Sequence, residues 1–186
     1  MRYPGIMTQP GAAPSPAGPA ATPRPGRYRL DPARTTIRAD VPAMFGLVTV
    51  HGTFRLTVGE VHIAEDPGQS SVRLTIDAGS FSSGLGMRDM DVLSAALLDA
   101  SAYPEIAFAG RGPRPDGTGW LLPGEVTAHG VTAPVEIRIT LAGGADGVAR
   151  FRAVARLERT SFGITKKKGM VGTTVGLTVE AACVPA

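Results

Sequence analysis

His51, His62 and His129 are the side chains best equipped for metal binding or general-base chemistry, and their spacing favours neither. No two of them stand at the i, i+2 or i, i+4 intervals that place ligands on one face of a strand or helix. No Cys or carboxylate cluster joins them, so no metal site is expected. Alternation puts His51 on a polar strand face, and His129 precedes Gly130 in a hairpin-like turn, where an imidazole can bond backbone groups. Solvated or turn-bonded histidines are the plainer reading. Cys183 is the single cysteine. A thiol nucleophile needs an activating partner, and no histidine lies near it in sequence. Its place in an alternating apolar run makes it a small core residue. One cysteine cannot close an intrachain disulfide, which suits a reducing compartment.

Arg88-Asp89 reads first as a helix start, with Asp89 accepting backbone N–H groups and Arg88 pairing nearby. Contact with a ligand headgroup at a barrel mouth is compatible with that role. Gly84-Leu85-Gly86 lacks the Lys-Ser/Thr and the strand-to-helix setting of a phosphate loop. Lys166-Lys167-Lys168 is most simply a solvated hairpin loop. The alternative is an attractor for an anionic headgroup, giving transient membrane-surface contact. No Gly-x-Ser-x-Gly, Ser-His-Asp order or carboxylate dyad can be assembled. The chain is therefore expected to be no enzyme and to carry no cofactor.

The elements that position these residues are strands. After residue 27 apolar and polar residues alternate, the signature of half-buried strands. Val135, Ile137, Ile139 and Leu141 alternate with polar residues. Phe151, Ala153, Ala155 and Leu157 alternate with Arg152, Val154, Arg156 and Glu158. Val72, Leu74 and Ile76 repeat the pattern, as do Val175 to Cys183 and the run Val48, Val50, Phe54, Leu56, Val58. Shorter strands are expected at 34–41, 60–65, 104–111 and 118–128. Turn signals such as Pro67-Gly68, Asp116-Gly117 and Asp146-Gly147 separate them. The 24 glycines suit the tight turns and bulges of an all-β fold. Met90, Leu93 and Leu97 share one helical face, predicting a single short helix near residues 89–98 that lies over a barrel mouth. About eight or nine antiparallel strands make a barrel or a sandwich, and an eight-stranded barrel holds either its own side chains or one small ligand. Small residues on the inward face, among them Ala39, Gly52, Gly124, Ala128, Ala153 and Ala181, leave space for a cavity.

Residues 1–26 form a separate region, with seven of the sixteen prolines, four glycines and five alanines. That composition cannot offset ordering entropy by burial, so a disordered arm is expected there, followed by one barrel domain over 27–186. The arm lacks the apolar run of a signal peptide, and its prolines preclude a spanning helix, so a cytoplasmic location is expected. The net charge of +3 and an aromatic content of 5% do not make a nucleic-acid-binding surface.

Five blocks in order resemble the YceI-like proteins. Tyr28-Arg29-Leu30-Asp31-Pro32 is similar to the family's start, and Phe45 to Phe54, ending Gly52-Thr53-Phe54, to its second strand. Arg88-Asp89, with Leu97-Leu98-Asp99 and Tyr103 to Phe108, resembles its Arg-Asp helix and the next strand. Gly124 to Val135 is the most specific block, and Arg159-Thr160-Ser161-Phe162-Gly163-Ile164 resembles the stretch before the last strand. The likeness runs from Tyr28 to about Val184. Arg34-Thr35 stands where members commonly have His-Ser, and Met44 and Asp91 stand where they have His. The resemblance implies an antiparallel lipocalin-like barrel, some of whose members hold polyisoprenoids or other long amphiphiles.

A non-catalytic carrier or store for an isoprenoid, quinone or other long-chain lipid is the expected function. The expected walls are Phe54, Leu74, Phe108, Trp120, Leu122, Ile137, Phe151 and Phe162, with Leu97 near the lid and Met44 and Phe45 at the entrance. The alternative is a protein-interaction or stress-response module whose barrel is filled. Edge strands could also pair two copies into a homodimer.

Overall fold

A computed structural model of the chain describes residues 24–145 and 147–186, with Ala145 described by its backbone alone. The expected arm lies outside the described residues up to residue 23, as does Asp146 of the expected turn. By Gly26 the chain has already entered a strand.

Ten strands follow in chain order: β1 (Gly26–Leu30), β2 (Thr36–Ala43), β3 (Val48–Ile63), β4 (Ser71–Ser82), β5 (Glu105–Arg111), β6 (Arg114–Asp116), β7 (Gly119–Ala128), β8 (Val131–Ala145), β9 (Val148–Glu158) and β10 (Thr174–Pro185). Strands β2, β3, β4, β5, β7, β8, β9 and β10 pair antiparallel in that order, and β10 pairs back onto β2, so eight strands close a barrel. Closure leaves none of these eight as an open edge.

One stave is made of two pieces. β1 lies between β3 and β10 at one end, with Tyr28 opposite both Val61 and Pro185. β2 takes the same slot at the other end, with Ile37 opposite Phe54 and Val179. Asp31-Pro32 turns the chain between them. The Asp31 carboxylate accepts from the Ala33 N–H at 2.9 Å, and proline has no N–H to continue a ladder. The last residue, Ala186, donates its N–H to the Arg27 carbonyl at 3.0 Å, so both ends of the described chain meet on one rim. That rim also carries the 64–70 turn, β6 and the β8–β9 hairpin, which pairs up to Ala145 and Val148. The opposite rim carries the 43–48 turn, the connection from 83 to 104, the His129-Gly130 turn and residues 159–173. Both residues of that turn have positive φ, 50° and 73°, the backbone of a two-residue hairpin whose twist matches its strands.

The alternation holds on most staves and changes phase on β3. Residues 48–63 are one strand, where two were expected at 48–58 and 60–65. A register shift between Leu56 and Val58 places an extra residue in β3 opposite β4. Beyond it the inward set becomes Gly59, Val61 and Ile63, and Val58 turns outward, 50% exposed. A one-residue slip moves every later side chain to the other face. Gly59 is glycine because Leu30 packs on it: a Cβ there would lie 2.5 Å from the Leu30 side chain.

A second glycine pair sets the packing of Phe108. Gly110 and Gly124 are opposite each other in β5 and β7, and the Phe108 ring covers both. A Cβ on Gly124 would meet the Ala109 carbonyl oxygen and Phe108 Cε2, each at 2.6 Å. The carbonyl belongs to the sheet and cannot give way. Gly124→Val is therefore expected to lower unfolding free energy by about 1–3 kcal/mol, read from the urea midpoint; an unchanged midpoint contradicts the packing described.

The helix, α1, spans Gly86–Leu93, three residues earlier than expected at its start and five earlier at its end. Ser94 stops it. Its hydroxyl donates to the Asp91 carbonyl at 2.7 Å and accepts from the Ala96 N–H at 3.3 Å, replacing helical bonds. Leu97 consequently lies beyond the helix in the following turns, and Met90 points outward, 74% exposed.

Asp89 ties α1 to the end of β4. Its Oδ1 accepts from Ser83 Oγ at 2.6 Å and from the Ser83 N–H at 2.8 Å. The carboxylate therefore caps the incoming chain, whereas the helix N-cap position is held by Leu85. The Ser83 hydroxyl chiefly holds the Asp89 pKa below its ordinary value; desolvation opposes this, and the Ser83 N–H, Ser82 and Arg88 add to it. A depressed carboxylate pKa means that this tie is fully present above the unfolded value, near pH 4. It is lost as pH falls from there through the folded value. The Ser83 amide resonance is expected to move only below about pH 4 and to lose that step in Asp89→Asn. A flat titration, or a step at higher pH, contradicts it.

Candidate ligand cavity

The inward residues do not fill the barrel. They enclose an elongated cavity of about 500 Å³, within the usual range of small-ligand sites. Two packed clusters form its walls. One is centred on Phe108, Leu122, Val126 and Phe162, the other on Leu30, Ile37, Leu56 and Cys183. The filled interior of the alternative reading does not match this cavity.

Nine of the eleven expected wall residues line the cavity: Phe54, Leu74, Leu97, Phe108, Trp120, Leu122, Ile137, Phe151 and Phe162. Each sits on an inward phase of its strand or, for Leu97 and Phe162, on the turns that cross one rim. Met44 and Phe45 do not line it. They occupy the 43–48 turn with positive φ, 50° and 59°, which carries their side chains out of the barrel. Met44 is 52% and Phe45 80% exposed. The turn is held by backbone bonds from the Met44 and Phe45 N–H groups to the carbonyls of Met170 and Gly169, both at 2.9 Å.

Several lining residues were not anticipated. Phe81 sits in an irregular stretch of β4, where residues 78–81 fall out of the ladder with β3 and the Ser80 hydroxyl instead accepts from the Arg55 N–H at 2.8 Å. Its ring lies over Gly52, where a Cβ would be 2.1 Å away, and packs tilted on Phe54 with centroids 5.2 Å apart. No alternation argument finds it, because the irregularity resets the phase. Arg159 is the larger omission, and its signal was available: it continues the inward series Phe151, Ala153, Ala155, Leu157.

Arg159 is 5% exposed. It donates from Nε to the Gly172 carbonyl at 2.8 Å, from Nη1 to Ile164 at 2.7 Å and from Nη2 to Val171 at 2.9 Å. Burial pulls its pKa down from the ordinary arginine value, yet an arginine stays protonated at neutral pH. One cation thus fastens the whole 164–173 loop over the rim.

The polar lining is confined to the two ends. Arg88, Asp91 and Arg159 stand at the rim carrying α1; His62, Ser70, Ser71 and Thr118 stand at the other. Asp91 pairs with Lys167, linking α1 to the same loop. Between the ends the wall is apolar. Cys183 lies in that stretch, and burial pushes its thiol up to about 11, so little thiolate exists at neutral pH. The remaining histidines have local partners. His51 lies on the outer wall with Nδ1 2.6 Å from Asp40 Oδ1. His129 has Nδ1 3.2 Å from the Phe162 carbonyl oxygen, and its ring packs on Tyr103 with centroids 4.8 Å apart.

Known proteins share this architecture. The crystal structure of BcnA from Burkholderia cenocepacia superposes with a TM-score of 0.75 at 22% identity, covering 82% of this chain and 98% of that one. A polyisoprenoid binding domain from Saccharophagus degradans gives 0.63 at 12% identity, covering 88% and 100%. At such identities both bear on the fold alone. In sequence, UPF0312 protein Ent638_1570 of Enterobacter sp. (strain 638) is 29% identical over 141 residues, 73% of each chain. Protein YceI of Escherichia coli is 28% identical over 141 residues, 73% of this chain and 74% of its own. The pattern described as the YceI-like domain matches residues 28–183. From Tyr28 in β1 to Cys183 in β10 it takes in the entire closed barrel, and the chain belongs to the YceI-like family.

Proposed function

We propose that this barrel binds, stores or carries a long-chain amphiphile, such as an isoprenoid, a quinone or another lipid, without altering it chemically. The observation that carries this reading is the continuous apolar wall around about 500 Å³, with charge confined to its ends. Hydrocarbon entering it leaves water, and each buried methylene contributes about 0.8 kcal/mol. Empty apolar space forfeits contacts on every lining side chain, so an occupant is favoured. The polar head of such a molecule belongs at the rim where Arg88 and Arg159 line the cavity. The Saccharophagus degradans neighbour, alike in fold, is described as a polyisoprenoid binding domain, which is the ligand class proposed. The non-catalytic part of the reading rests on the apolar middle of the cavity and on the scarcity of Cys183 thiolate.

Native mass spectrometry of protein from its own source tests it. A single dominant adduct that chloroform extracts from the protein is the expected result. Ligand-free spectra from several hosts, persisting after incubation with isoprenoid and quinone mixtures, count against it.

A further inference from the structure

The two rims of the barrel differ sharply in what they show to water. Among the described residues, twelve large apolar side chains are exposed, and only Val58 and Val154 lie on the outer wall. The other ten stand on the rim that carries α1. Phe45 and Leu47, at the tip of the 43–48 turn, are 80% and 83% exposed. Met87 and Met90, on the outer face of α1, are 90% and 74% exposed. Met170 adds a third segment, the 164–173 loop, at 54%.

These segments form one surface. The 43–48 turn is bonded to the loop through Met170 and Gly169, and Ala43 bridges Val171. The loop is joined to α1 by the Lys167–Asp91 pair. Lys166 and Lys168 flank that pair and are exposed. The two acids of α1 are already engaged, Asp91 by Lys167 and Asp89 by Ser83. Val41, Ala43, Val171, Arg88 and Val92, from the same segments or beside them, line the cavity.

From this geometry we infer that the α1 rim docks on the surface of an anionic lipid bilayer. Phenylalanine and leucine on a turn tip, with flexible methionines on α1 and the 164–173 loop, suit insertion to the headgroup–acyl boundary, and the lysines beside them suit anionic headgroups. An exposed apolar cluster of this kind marks an interaction site. A second copy of the chain fits less well, because a two-fold contact through this rim brings the exposed lysines of both copies into one interface. Docking here puts the charged mouth of the cavity against the membrane, where hydrocarbon can pass without crossing water. Vesicle binding does not require an occupied cavity, so docking and cargo binding can fail independently.

The test is co-sedimentation with vesicles of equimolar phosphatidylcholine and phosphatidylglycerol, compared with pure phosphatidylcholine. Stronger binding to the anionic vesicles, weakening as salt is raised, is the expected result. Lys166→Gln with Lys168→Gln is expected to weaken it by on the order of tenfold or more. Phe45→Ser with Leu47→Ser is expected to weaken it at least as much, with an unchanged thermal midpoint. Met87→Ser with Met90→Ser serves as an independent second pair should the turn variant fail to fold. Absence of anionic-vesicle binding overturns the inference, as does equal binding by the parent and all variants. So does a dimer whose formation those substitutions abolish.

Discussion

Ala153→Trp is expected to abolish the proposed lipid binding while leaving the thermal midpoint within a few degrees of the parent. Ala153 lines the cavity in the middle of β9, opposite Ile139 and Val179, both of which also line it. An indole there reaches across space that a bound chain would occupy. Displacing about four methylenes at ~0.8 kcal/mol each removes roughly 3 kcal/mol, about two orders of magnitude in Kd. Stability decides whether the space is real. In a filled core the same substitution forces neighbours off their rotamers at about 1–3 kcal/mol. Over an open cavity it gains contacts instead. Chloroform extraction, native mass spectrometry and a melting curve on one preparation read both effects. Retained lipid, or a loss of stability of overpacking size, contradicts the prediction.

Arg159→Met is expected to cost about 3–5 kcal/mol and to release the 164–173 loop. Three carbonyls lose their donor at once, and charge-assisted hydrogen bonds contribute about 1.5–3 kcal/mol each before the loop relaxes. Methionine matches the aliphatic stem, so the loss reports the guanidinium rather than packing. Arg159→Lys recovers little, because an ammonium cannot direct donors to Gly172, Ile164 and Val171 in the planar fork that arginine supplies. Urea unfolding gives the energy, and hydrogen exchange of residues 164–173 gives its location. A loss below about 1 kcal/mol, or protection unchanged in the loop, contradicts this role.

Most of the barrel was legible because its staves keep a period of two. The inward runs Val72 to Ile76, Ile137 to Leu141, Phe151 to Leu157 and Val175 to Cys183 all appear where the alternation places them. What escaped was conformational rather than compositional. Nothing in Leu56-Thr57-Val58 announces a bulge, yet the bulge decides that Val58 faces water. Met44 and Phe45 are apolar, but the left-handed turn they occupy carries them out of the wall. The spacing of Met90, Leu93 and Leu97 carries the helix too far, because Ser94 ends it by competing for backbone bonds. Arg159 shows the opposite error. Its inward phase is readable two residues beyond Leu157, and three backbone carbonyls make a buried guanidinium tolerable there.

The meeting of Ala186 with Arg27 has a practical corollary for labelling and display. Because Ala186 lies on the rim remote from α1, a fluorophore, affinity handle or fusion partner attached there points away from the cavity mouth beside α1. Joining those neighbouring ends and reopening the chain at an exposed hairpin would yield a circular permutant with every stave retained.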